Sequence, residues 1–70
     1  MYIKFLIILY TGRTLKIEET LYTIIKDKIP CSNMREVKRK LKKIKHQHDR
    51  KNIVIKEHTK NGWIPIKVKF

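Results

Sequence analysis

The stretch that most restricts this chain is Ser32–His48, SNMREVKRKLKKIKHQH. Met34, Val37, Leu41 and Ile44 recur at spacings of three, four and three, a narrow apolar stripe along one side of a helix. Nearly everything off the stripe is cationic: Arg35, Lys38, Arg39, Lys40, Lys42, Lys43 and Lys45. At roughly 100° per residue, Arg35, Arg39, Lys42, Lys43 and His46 fall opposite the stripe. A helix held by one seam and offering packed positive charge on its other face needs an anionic partner.

Size and charge narrow the partner. Seventy residues allow one domain with a small core. Cys31 is the only cysteine, which excludes an intrachain disulfide and a zinc framework and agrees with a reducing interior. The formal charge is +12. Residues 1–30 hold five Lys/Arg against three acids and residues 31–70 hold thirteen against three, so the second part carries +10. Such asymmetry favours polyanion binding, with nucleic acid ahead of an anionic membrane surface. The run YIKFLIILY, residues 2–10, is too short to cross a bilayer, which takes about 20 residues. It has neither the basic leader nor the cleavage site of a secretory signal. A cytoplasmic protein is expected.

Residues 2–10 are apolar on every side and suit a buried helix or a central strand equally. Gly12 would end that segment as a helix C-terminal residue or a hairpin turn, and Leu15-Lys16-Ile17 alternates like a short strand. Glu18–Lys28 reads as a helix: two acids open it, Leu21, Ile24, Ile25 and Ile29 keep helical spacing, and Pro30 stops it. Ser32 or Asn33 can cap the next helix, with Glu36 as a capping-box acid. Asp49-Arg50-Lys51-Asn52 is a loop. IVIKEHTK and WIPIKVKF then flank Asn61-Gly62, the preferred pair for a type I′ hairpin turn. Counting outward pairs Lys60 with Trp63, Lys56 with Lys67 and Ile53 with Phe70. One face then collects Ile53, Ile55, Ile64, Ile66, Val68 and Phe70.

This order of elements resembles the winged helix-turn-helix family over nearly the whole chain. FLIILYTGRTLKIEETL looks like its first helix, strand and entry to the second helix. IPCSNMREVKRKLKKI looks like its turn and recognition helix, and NIVIKEHTKNGWIPIKVK like its wing. The lysine- and isoleucine-rich style and small size are similar to wing domains of archaeal viruses and plasmids. The resemblance implies an α+β winged helix-turn-helix domain over residues 1–70, with three helices, a short strand and a C-terminal β-hairpin wing. It further implies a sequence-specific regulator of transcription that binds double-stranded DNA, with a homodimer on a palindromic site as one arrangement.

On that reading the helix from about residue 33 to 46 enters the major groove. Ser32, Asn33, Arg35 and Glu36 stand at its leading end, Arg35 and Arg39 can fork onto guanine, Lys38, Lys42 and Lys43 act as point charges on phosphate, and His46 belongs to the same DNA-binding face. Lys56, Lys60, Asn61, Trp63 and Lys67 place the wing, residues 53–69, on the backbone or in the minor groove. The plainer readings are a solvated basic helix face and a Trp63 packed on its own domain. His46, His48 and His58 lack a cysteine or carboxylate at ligand spacing, and no nucleophile–base arrangement is present. No enzyme activity, metal, cofactor, small-molecule ligand or membrane partner is expected. A second reading takes residues 2–17 as a β-hairpin, giving a sheet with two helices suited to an RNA-binding module or a small RNA-cleaving toxin. A third takes the basic surface as a dock for an acidic protein or a membrane.

Overall fold

The computed structural model describes residues 2–70. Strands β1 (Phe5–Ile17) and β2 (Thr20–Cys31) form a long hairpin, helix α1 (Met34–Ile44) follows, and a short 3-10 turn (Arg50–Asn52) leads into β3 (Ile53–Thr59) and β4 (Gly62–Ile66). All four strands join one antiparallel sheet in the order β2-β1-β3-β4. α1 connects one edge strand to the strand beyond β1 and lies across a single face of the sheet.

The winged helix-turn-helix expectation is therefore overturned. Residues 2–10 do not form a helix, and Glu18–Lys28 is a turn followed by β2. The reasons are local. Phe5–Leu9 is paired along both edges, with Cys31–Asp27 and with Glu57–Ile53, so it is a central strand: Phe5, Ile7 and Leu9 are buried on the α1 face, and Ile8, on the other face, is only 4% exposed. A strand buried in this way reads as an unbroken apolar run without a period. β2 is rich in Thr20, Tyr22, Thr23, Ile24, Ile25 and Ile29, β-branched and aromatic residues that fit a pleated surface. Pro30 ends no helix: it sits opposite Leu6 on an edge strand, where a missing N–H disturbs no interior ladder.

Nor does the chain turn at Gly12. β1 runs through it with φ +83°, and the pairing skips from Tyr10↔Ile25 to Thr14↔Thr23, a bulge that glycine accommodates. The turn comes at Glu18-Glu19, with Glu18 at φ +57°. From Thr11 to Lys28 every residue is exposed, so the outer part of this hairpin projects from the body as a two-stranded arm.

α1 keeps the expected stripe. Asn33 caps it by accepting a hydrogen bond from Glu36 N at 2.9 Å. Val37 and Leu41 are fully buried against Phe5, Ile7, Leu9, Cys31, Ile53 and Ile55, with Met34 and Ile44 packed at the margin. Burying side chains of this size contributes about 1.5–3 kcal/mol each, which makes this seam the centre of the fold.

The C-terminal hairpin forms in a different register. His58 pairs with Trp63, Lys56 with Pro65 and Ile55 with Ile66, two residues from the expected alignment. Asn61 does not take the positive φ that a type I′ turn demands, and Gly62 alone does, at +97°. The turn thus centres on Lys60-Asn61, and the Thr59 hydroxyl closes it by accepting from Asn61 N (3.1 Å) and donating to Gly62 O (3.0 Å). A shift of two preserves faces: Ile66, Val68 and Phe70 still pack on the core, although Ile64 is exposed. It also removes the expected Lys56–Lys67 opposition.

Candidate nucleic-acid interface

The outer side of α1 is built by the same periodicity that buries its inner side. Arg35, Lys38, Arg39, Lys42 and Lys43 are all exposed, and the first four line a shallow depression with Met34. Only two ion pairs occur among the described residues, Lys4–Glu57 and Lys40–Glu36, each at 3.3 Å. The five outer cations of α1 thus have no acidic partner there. Close like charges of this density raise the local potential and favour an anion across the face.

The leading end of α1 is differently employed. The Asn33 side-chain oxygen is taken by the cap, and Glu36 accepts from Ser32 N at 3.2 Å while pairing with Lys40. The Ser32 hydrogen bond first, and then Lys40, hold the Glu36 carboxyl below the usual carboxylate range. Lys40 also donates to Pro30 O at 3.3 Å. Asn33 and Glu36, expected at base edges, are therefore committed to holding the helix start, and Arg35 and Arg39 remain the free forks.

At its other end α1 meets the base of the arm. Arg13, Lys26, Lys45, His46 and His48 line a polar cleft there with Tyr10 and one acid, Asp49. Arg13 and Lys26 extend the basic band, although nothing in the sequence tied them to α1. Their position depends on a hairpin that periodicity did not disclose.

The remaining expected residues fall elsewhere. Alternation along β1 and β3 puts Phe5, Ile7, Leu9, Ile53 and Ile55 under α1, and therefore Leu6, Ile8, Val54, Lys56 and His58 on the opposite, open face. Trp63 pairs with His58 and joins that face. Lys60 and Asn61 form the exposed turn at the end of the sheet, and Lys67 follows β4 beside Val68 and Phe70. Helix and hairpin residues that were expected to meet one DNA groove thus lie on two sides of a thin molecule.

Cys31 ends β2 in the core, and burial raises its thiol above the ordinary value despite Lys40 nearby. Among the described residues no three histidine, cysteine or acidic side chains gather as metal ligands. Among the described residues no helix is long and apolar enough to cross a membrane. No family model, curated protein or solved structure matches the chain.

Proposed function

We propose that this chain is a non-catalytic nucleic-acid-binding protein that presents the outer face of α1 to a DNA duplex. The observation that supports this is the set of five exposed α1 cations, Arg35, Lys38, Arg39, Lys42 and Lys43, without an acidic partner among the described residues. An eleven-residue helix is about 16 Å long, and the major groove is about 12 Å wide, so a surface helix backed by a sheet fits it. Lysines supply phosphate contacts, while Arg35 and Arg39 are the side chains able to grip a guanine edge. Arg13, Lys26 and Lys45 lengthen the backbone contact beyond the helix end.

Titration of a duplex at several salt concentrations tests the proposal. Log affinity is expected to fall against log salt with a slope of about −0.9 per phosphate contact. Lys42→Ala should lower that slope by about one contact on every sequence, whereas Arg39→Ala should cost about 1–3 kcal/mol and weaken preference among sequences. Absence of duplex binding at low salt would end this reading. A second reading, an RNA-binding module, draws on the extended conformation of Phe5–Tyr10, which makes the chain strand-rich. Duplex RNA in the same titration separates the two.

A further inference from the structure

The open face of the sheet carries a row of rings that the α1 surface does not use. Tyr2 precedes β1, His58 lies on β3 and Trp63 on β4. The Tyr2 and His58 ring centres are 6.1 Å apart and those of His58 and Trp63 are 5.0 Å apart, tilted by 50° and 36°. A 3.1 Å hydrogen bond between the Tyr2 hydroxyl and His58 Nδ1 ties the first pair, and the Trp63–His58 strand pairing sets the second. His58 N donates to Lys4 O at 2.8 Å, so the chain just before β1 is held in line with β3. The row is thus positioned by backbone pairing across three segments, yet Tyr2 remains 63% and Trp63 41% exposed.

The charge around the row is one-sided. Lys56, two residues before His58 on β3, shares the parity of the open face, and Lys60 stands at the adjacent turn. Lys28 has the same parity farther along the sheet, opposite Ile8, and Lys4 shares it while paired with Glu57. Asp27 and Glu57, facing Leu9 and Phe5, have the parity of the α1 face, although Glu57 reaches Lys4 at the edge. Exposed rings bordered by lysines match the two requirements of an unpaired nucleic-acid strand: a π-face for each base and cations for the phosphates. A duplex, whose bases are already stacked on one another, cannot use the rings in this way.

We infer that the open sheet face is a second, independent binding surface, which takes single-stranded nucleic acid by stacking bases on Tyr2 and Trp63. His58 is a positioning residue between them. The surface lies opposite α1, so it does not depend on the duplex reading.

Trp63 is the only tryptophan in the chain and reports on its own surface. Unlabelled single-stranded oligomers of about twelve nucleotides, oligo-dT and oligo-rU, are titrated at low salt while Trp63 emission is followed. Quenching is expected with both strands, and a preference for either sugar would identify the natural source without altering the site. Tyr2→Ala should weaken binding about tenfold, the scale of one lost base stack. Trp63→Ala, followed by anisotropy of a labelled strand, should do the same. Arg39→Ala together with Lys42→Ala should preserve the quenching amplitude. Both ring positions are exposed, and unchanged Cys31 protection in the variants confirms that they fold. Single-strand binding without quenching, Tyr2→Ala or Trp63→Ala affinities within about twofold of the parent, equal quenching by a duplex, or quenching only by anionic vesicles would each overturn the inference.

Discussion

Glu36 Oε2 accepts a hydrogen bond from the backbone N–H of Ser32 at 3.2 Å, one residue further back than an ordinary capping box reaches. With Asn33 accepting from Glu36 N, two donors at the start of α1 are satisfied by two side chains. The helix that bears most of the free charge is therefore fixed at its first turn by its own acid. Seven neighbouring cations would otherwise disfavour helix formation through self-repulsion.

Glu36→Gln tests that role through pH. The folded-state pKa of Glu36 lies below its unfolded value, chiefly through the Ser32 hydrogen bond. The stabilisation is therefore complete above the unfolded carboxylate pKa, about 4.3, and is lost as pH falls through the lower folded value. Urea midpoints of the parent should fall below that pH, and the variant should show a shallower acid limb. Parallel acid limbs would show that the Ser32 contact does not form in solution.

Gly62→Ala isolates the cost of one backbone angle. Gly62 has φ +97°, and a Cβ there would meet nothing within 4 Å, so strain is the whole effect. A loss of about 1–2 kcal/mol is expected in global denaturation, with Gly62→Asn milder. Gly12→Ala has the same kind of angle and a Cβ 3.1 Å from Asn52 Nδ2, but it lies at the base of the arm. Its cost should appear in local opening of the arm. Equal global losses at the two glycines would mean that arm and body unfold together.

These positions also show how far the sequence could be read. α1 was legible because a cap, a 3-4 stripe and a cationic remainder all point one way, and Val37 and Leu41 lie buried as expected. The C-terminal hairpin was legible in place and in faces. Its register depended on whether Asn61 or only Gly62 took positive φ, which composition does not determine. The N-terminal half was misread because Leu21, Ile24, Ile25 and Ile29 satisfy helical spacing while belonging to a strand that pairs with β1. Only the partner strand decides between those periods. Of the candidate interface, the α1 cations were visible in full. The split between two faces and the Tyr2–His58–Trp63 row required the sheet.

Cys31 supplies a probe of the core. Its side chain is 1% exposed and its thiol is held protonated by burial, so neither access nor thiolate is provided by the folded state. Modification by a neutral thiol reagent should proceed only through opening. Leu41→Ala removes a fully buried neighbour at a cost of about 2–5 kcal/mol and should speed that modification at least about thirtyfold. Rapid modification of the parent would contradict the core as described.

The arm yields the last prediction. Leu15, Ile17, Leu21, Tyr22, Ile24 and Ile25 are 39–68% exposed, and beyond Leu9 the only strand that β1 pairs with is β2. A two-stranded ribbon is marginal in water, whereas Ile7, Leu9 and Ile55 exchange only with the body. Amides of Thr14–Thr23 should therefore exchange at least about a hundredfold faster than those of Phe5–Leu9. Glu18, at φ +57°, strains the turn by about 1 kcal/mol. Glu18→Asn should accordingly slow exchange at Ile17 and Thr20 by about fivefold while leaving the body unchanged. Arm amides as protected as β1 in the body would show that the arm is covered in solution. Dilution would then reveal the cover, because protection supplied by a second copy falls with concentration.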